Sequence, residues 1–327
     1  MLDSGFVSRK PSDTYRSPLG RWDTHSWVRA KPHQLAPFDP KLEFFSTKLS
    51  PVLEVPSVRR LSQEQRSRLL ILHLYHWLHF TEWLEMGPVN AACDLIRQPV
   101  FWPWLSPQMK ADALKIYVDE GGHAEMSHAL FARVETETGV PAAPIRALDP
   151  SAKRFFDAML AGEDAALAPL LTIFFACVSE TLITGTLKDL PKDPTVQAAV
   201  RDLAADHAAD EAIHHSYFRS LFALAWPRLE EGQRRVIEGH LADMILAFLE
   251  PDAGALSLML ADVAPGIDAA AAIEALAGFD ERKRQMREAA MPTLRLFAAE
   301  GVFDSPPTRA GFASVGLTPP TRSSSAS

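Results

Sequence analysis

The sequence predicts an all-α bundle preceded by an irregular arm, and three observations carry that expectation. Prolines are unevenly spaced: seven fall between positions 11 and 56, and proline-free windows then open at 57–87, 108–140, 151–168, 170–190, 195–226, 228–250 and 266–291. Proline neither continues a helix nor donates to a ladder, so such windows mark where long helices can run. They are rich in Ala, Leu, Glu, Arg and Gln, which favour helix. Alternating β-branched runs and Asn-Gly or Asp-Gly turns, the signals of hairpins, are missing.

Taken in order, residues 1–56 read as a proline-rich arm wrapping a core, 57–303 as a single helical domain, and 304–327 as a disordered tail ending in a Pro/Ser-rich run. A chain with 47% hydrophobic and 23% charged residues fits a soluble globular class. The net charge of −8 argues against nucleic acid or an anionic membrane as partner. Cys93 and Cys177 cannot make a disulfide framework, and the N-terminus carries no apolar signal core. The longest apolar run, 167–178, holds 12 residues, too few to cross a bilayer. A protein of the reducing cytoplasm is expected.

The first window places Leu74, Leu78, Thr81 and Glu85 on one face; Glu82 instead continues Tyr75 and His79. That favours Glu85 as an inward acid and leaves Glu82 open. In the second, Met109, Ala113, Ile116, Glu120, His123, Ser127, Leu130 and Val134 form one core-facing stripe. The window 170–190 is apolar nearly all round, and its one acid is Glu180. In 195–226 the inward stripe is Val196, Val200, Leu203, His207, Glu211, His214, Phe218 and Leu221.

A lone buried carboxylate or imidazole is unfavourable by several kcal/mol unless neutralised, so this cluster calls for a compensating cation. Two Glu-x-x-His pairs plus a Glu from each of two other helices is the ligand set of di-iron and di-manganese carboxylate bundles. The pairs here are Glu120/His123 and Glu211/His214, with Glu180 and an acid on the first helix. Four carboxylates against two divalent ions make a formally neutral site. A third Glu-x-x-His, Glu125/His128, lies on a more polar stripe and reads as solvated. His73, His76 and His79 drift around their helix in steps of three and suit a surface or outer role. His207 by itself reads as a hydrogen-bonded core histidine. Asp119, Asp206 and Asp210 each precede a candidate ligand but point about 100° away, so most of them read as solvated, with one free to serve a neighbouring helix.

The set as a whole resembles the AurF-like diiron N-oxygenases, the p-aminobenzoate and arylamine N-oxygenases. The pattern Glu-x34-Glu-x2-His-x56-Glu-x26-His-x3-Glu-x2-His is met by Glu85, Glu120, His123, Glu180, His207, Glu211 and His214 without insertion or deletion. The resemblance covers about 130 residues, selects Glu85 over Glu82 and makes His207 an extra histidine ligand. It implies a ferritin-like helical bundle with the irregular N-terminal arm and extra C-terminal helices. It further implies two iron ions cycling between Fe2+ and Fe3+, O2 as co-substrate through a peroxo-diferric species, and an external electron donor, a reductase or ferredoxin. Oxidation of an amine nitrogen to hydroxylamine, nitroso and nitro is the implied reaction, on an arylamine or a carrier-tethered amine, in a homodimer.

Two local features are read as an O2 or substrate pocket. Gly121 and Gly122 interrupt a helix between ligands, at about 1 kcal/mol per glycine. Thr184, one turn beyond Glu180, is similar to the pocket threonine of bacterial diiron hydroxylases; back-bonding within its helix is the alternative. Arg282, Arg284, Arg287 and Arg295 on the last long helix read as a solvated basic face. The competing functions are a carbon-oxidising diiron hydroxylase or desaturase, and a ferritin-like iron-handling protein with no organic substrate.

Overall fold

The computed structural model describes residues 15–30, 35–187 and 189–318, with the backbone alone for 184–186. The chain is all-α. The arm contributes two single-turn helices, α1 (Trp22–His25) and α2 (Trp27–Ala30), followed by three 3-10 turns between Thr47 and Arg60. The body follows with α3 (Gln63–Leu84), α4 (Asn90–Arg97), α5 (Pro107–Thr138), α6 (Ala143–Arg146), α7 (Ser151–Gly162), α8 (Ala168–Leu187) and α9 (Ala198–Ala225). Last come α10 (Glu231–Leu249), α11 (Ala253–Val263), α12 (Ala269–Ala277), α13 (Asp280–Ala299) and α14 (Pro306–Ser314). Among the described residues the one β-type pairing is an isolated bridge between Glu43 and Val196.

Helix ends follow local chemistry. A Ser62/Gln65 capping box opens α3. Ser106 caps α5 ahead of Pro107, and Gly139, at φ 67°, stops it in the left-handed region. Three boundaries differ from expectation. Pro88 does not end the first helix: residues Glu85–Val89 form a π-helical turn, with the Asn90 N–H reaching back to the Glu85 carbonyl, and α4 follows directly. The wider turn accommodates a residue lacking an N–H. The window 266–291 is two helices, broken at Gly278 and Phe279. Residues 304–318, read as part of a disordered tail, are folded: Pro306 and Pro307 occupy the first turn of α14, where a missing N–H is harmless, and Phe312 and Leu317 are buried. Residues 319–327 lie outside the described ones.

The core comes in two apolar clusters with a polar layer between them. Along α5 the side chains to Ile116 belong to one cluster and those from Met126 to the other. Along α3 and α9 the order is reversed, so both run antiparallel to α5. The predicted inward stripes of α5 and α9 are buried along their whole length. Among the described residues two stretches are long and apolar enough to span a membrane, Ala165–Ile183 and Glu231–Val263. The first is the buried core of α8, longer than the 167–178 run, and the second is broken between α10 and α11.

Candidate metal centre

The polar layer is where the seven predicted residues meet. Glu85 comes from the π turn after α3, Glu120 and His123 from α5, Glu180 from α8, and His207, Glu211 and His214 from α9; all are at most 1% exposed. They form two groups, Glu85, His123, His207 and Glu211, and Glu120, Glu180, Glu211 and His214. Within each group the facing atoms lie within 4.8 Å of one another, and Glu211 belongs to both. Glu120 also spans the groups, with Oε2 3.2 Å from His123 Nδ1 and Oε1 3.0 Å from His214 Nδ1. His207 Nε2 lies 2.8 Å from Glu85 Oε1 and 3.0 Å from Glu211 Oε1.

Most of these atoms are not satisfied by protein. Both oxygens of Glu85 and of Glu180, Glu120 Oε1, Glu211 Oε2 and His214 Nδ1 are buried without a hydrogen-bond partner. Glu85 Oε1, although close to His207, is not in hydrogen-bonding geometry with it. Natural interiors leave few such atoms, and a cluster of them facing one point is what a cation would satisfy. Carboxylate oxygens and imidazole nitrogens in these numbers fit two transition-metal ions.

Protonation reflects the same crowding. Burial lifts the Glu85 carboxyl to about 7, against the pull of His207. Burial and then the neighbouring Glu211 and Glu120 hold Glu180 well above the carboxylate range. Burial, the largest influence, would depress His207, but the Glu85 charge and the close polar contacts of Glu211 and Glu85 together outweigh it and carry the imidazole to about 9. His214 is likewise driven upward despite burial, chiefly by Glu120 and Glu211. Cys93 and Cys177 are buried thiols, pushed up by burial, and remain protonated.

The layer outside these groups differs from the sequence reading. Asp119 and Asp210 are buried, and each serves the histidine of the other helix: His214 Nε2 lies 3.2 Å from Asp119 Oδ2, and His123 Nε2 3.3 Å from Asp210 Oδ2. Each carboxylate needs the hydrogen on Nε2, which leaves Nδ1 as the inward lone pair. The 100° offset that argued for solvation instead aims these acids across the helix interface. The signal available was the repeat Asp-Glu-x-x-His at 119–123 and 210–214. Trp22 and Ser26 of the arm bond to Asp119, and no sequence pattern pointed to them.

Glu82 faces Arg146 and the exposed His128, so neither it nor the Glu125/His128 pair joins the cluster. His73 stacks on Phe45 and His79 meets the Leu148 carbonyl, packing roles where a surface or outer role was expected. Gly122 is not open space: a Cβ there would lie 2.2 Å from Val28 Cγ2, so the glycine admits the arm. A Cβ at Gly121 would meet nothing within 4 Å. Thr184 lies outside the residues whose side chains are described. A cavity of about 1030 Å³ is lined by Thr181, Ala212 and His215, each next in sequence to a candidate ligand, with Lys48 and Arg282; none of the seven residues themselves lines it. Arg282 is half-buried and donates to the Leu249 carbonyl, so it departs from the solvated basic face.

Two comparisons bear on the family. The family model described as P-aminobenzoate N-oxygenase AurF matches residues 9–301. A 4-aminobenzoate N-oxygenase of Streptomyces thioluteus is 24% identical over 228 residues, covering 69% of this chain and 67% of that protein.

Proposed function

The chain belongs to the P-aminobenzoate N-oxygenase AurF family, and from that premise we propose that it is a two-iron monooxygenase acting on the nitrogen of a small-molecule amine. The observation that carries this is the pair of buried groups sharing Glu211, with their inward atoms unsatisfied by protein. Glu85, His123, His207 and Glu211 would hold one ion, and Glu120, Glu180, Glu211 and His214 the other. Bound iron supplies O2 activation and oxygen transfer; the first step is R–NH2 + O2 + 2e− + 2H+ → R–NHOH + H2O, with repetition leading to nitroso and nitro products. The electrons come from an external reductase or ferredoxin.

The chain's own residues set the conditions. Asp119 and Asp210 keep the hydrogens of His214 and His123 on the outer nitrogen, so the inner one is free to coordinate. The apolar clusters on either side exclude water from the layer. The cavity at Thr181 and Ala212 is the approach we assign to the amine, an arylamine or one tethered to a carrier. A homodimer in the cytoplasm belongs to the same reading, and the two buried cysteines without a disulfide suit a reducing compartment.

The test is a single turnover of anaerobically iron-loaded protein with ¹⁸O2, reductant and a panel of arylamines, followed by mass spectrometry. Label on nitrogen with two irons per chain is expected. Label on carbon would overturn N-oxidation in favour of a hydroxylase. Iron uptake continuing past two per chain into a mineral, with no labelled product, would make the protein an iron store.

A further inference from the structure

The arm follows α5 in register. Tyr15 Oη donates to Asp112 at 2.8 Å, and Lys115 donates to the Leu19 carbonyl at 3.2 Å. Trp22 Nε1 reaches both Asp119 oxygens at 2.9 Å, Ser26 Oγ donates to Asp119 at 2.6 Å, and Arg133 donates to the Leu35 carbonyl. Between these, Val28 sits in the notch left by Gly122, and the Trp27 N–H lies 3.3 Å from Asp210 Oδ2. Three residues of the arm, Trp22, Ser26 and Trp27, therefore reach between them both acids that orient the inward histidines. Ser26 is 1% exposed and Asp119 1% exposed, so water does not replace these donors.

We propose that residues 22–28 are a positioning strap, which fixes His214 through Asp119 and His123 through Asp210 and so controls how firmly the two metal subsites hold their ions. The inference rests on the ligand assignment made above. An acid that accepts from a histidine must itself be held still if it is to hold the ring. Asp119 is held by two side chains, an indole N–H and a hydroxyl. Asp210 receives one main-chain N–H, which no side-chain substitution removes. The two halves of the strap are therefore separable. Ser26→Ala and Trp22→Phe loosen the His214 side; Gly122→Ala, whose methyl collides with Val28, lifts the segment that carries the Trp27 N–H.

The experiment loads full-length protein anaerobically with Fe(II) and follows release of the two ions to a ferrous chelator, alongside thermal melting of metal-free protein. Ser26→Ala should speed release of one ion about 10-fold and leave the other unchanged, the usual scale for losing an outer partner. Ser26→Thr, which keeps the hydroxyl, should restore it. Gly122→Ala should speed the second ion as well. Lower melting temperatures with both release phases unaltered would mean that the arm merely packs, and would overturn the strap. Wild-type protein that takes up no iron, or a His214→Ala variant that still releases two ions at wild-type rates, would overturn the ligand assignment and the strap with it. Wild type with two ions and an unaffected Ser26→Ala overturns the strap alone.

Discussion

Replacing Glu180 by methionine should make the metal-free protein more stable, an advantage that iron removes in large part or wholly. Both Glu180 oxygens are buried without a partner, and the charges of Glu211 and Glu120 oppose its ionisation. Leaving a buried polar group unsatisfied is unfavourable by about 1–3 kcal/mol, and methionine fills a similar volume without polar atoms. For a chain of this size that is a rise of roughly 1–4 °C in the melting temperature of chelator-treated protein. The sign with pH follows from the raised carboxyl: its contribution is complete below the ordinary value and is lost as pH rises through the shifted one. The advantage of the variant should therefore grow as pH rises above the ordinary glutamate range. With iron most or all of that advantage is lost. An ion at 100 times its dissociation constant stabilises by about 2.7 kcal/mol, and a 100-fold weaker subsite retains only about 0.4 kcal/mol of that. The assay is a set of four melts, wild type and Glu180→Met, each with and without anaerobic Fe(II). A metal-free variant less stable than wild type would show Glu180 to be satisfied by protein, and the central argument for a cation would fail.

Three further outcomes follow from the same geometry. Metal-free protein should lose stability between pH 7 and 9, because His207, raised to about 9 against burial by Glu85 and Glu211 together, gives up a proton there that the unfolded chain has already lost; the gain on adding iron should widen over the same interval, and a flat melting profile would refute this. His73 and His79, held low by burial, finish titrating below that window. Gly121→Ala should raise the melting temperature, by up to about 1 kcal/mol of helix propensity, since its Cβ meets nothing; a loss would reveal a required opening at that position. Iron content by elemental analysis should be unchanged in Glu125→Gln and His128→Ala but should fall in Glu120→Gln, and the opposite pattern would move the site.

The helices and the polar layer were legible in the sequence for one reason. Buried stripes recur with the period of the helix, and Glu120, His123, His207, Glu211 and His214 interrupt stripes that are otherwise apolar. Spacing alone left Glu82 open beside Glu85, because both acids continue stripes of α3 that also carry buried residues, Leu74, Leu78 and Thr81 on one and Tyr75 on the other. Asp119 and Asp210 were misread for a related reason: a face judged against one helix says nothing about what a second helix presents to it. Gly122 was read as room for a ligand, when its space is taken by Val28, which is 94 positions away in sequence. Contacts of that kind carry no periodic signature. The tail was misjudged because Pro306 and Pro307 can begin a helix as readily as they end one.

The division of the core into two apolar clusters has a bearing on how the molecule opens. Residues 109–116 of α5 are anchored in one cluster and residues 126–134 in the other, and the short span between carries like charges. Without cations the two ends of this helix should behave as separate cooperative units, with amide-exchange protection that differs from one end to the other. Ions bound across Glu120 and Glu211 would tie the units together. Exchange measured residue by residue along α5 should then pass from two protection levels to one upon loading, so that the metal sets the size of the unfolding unit as well as the chemistry.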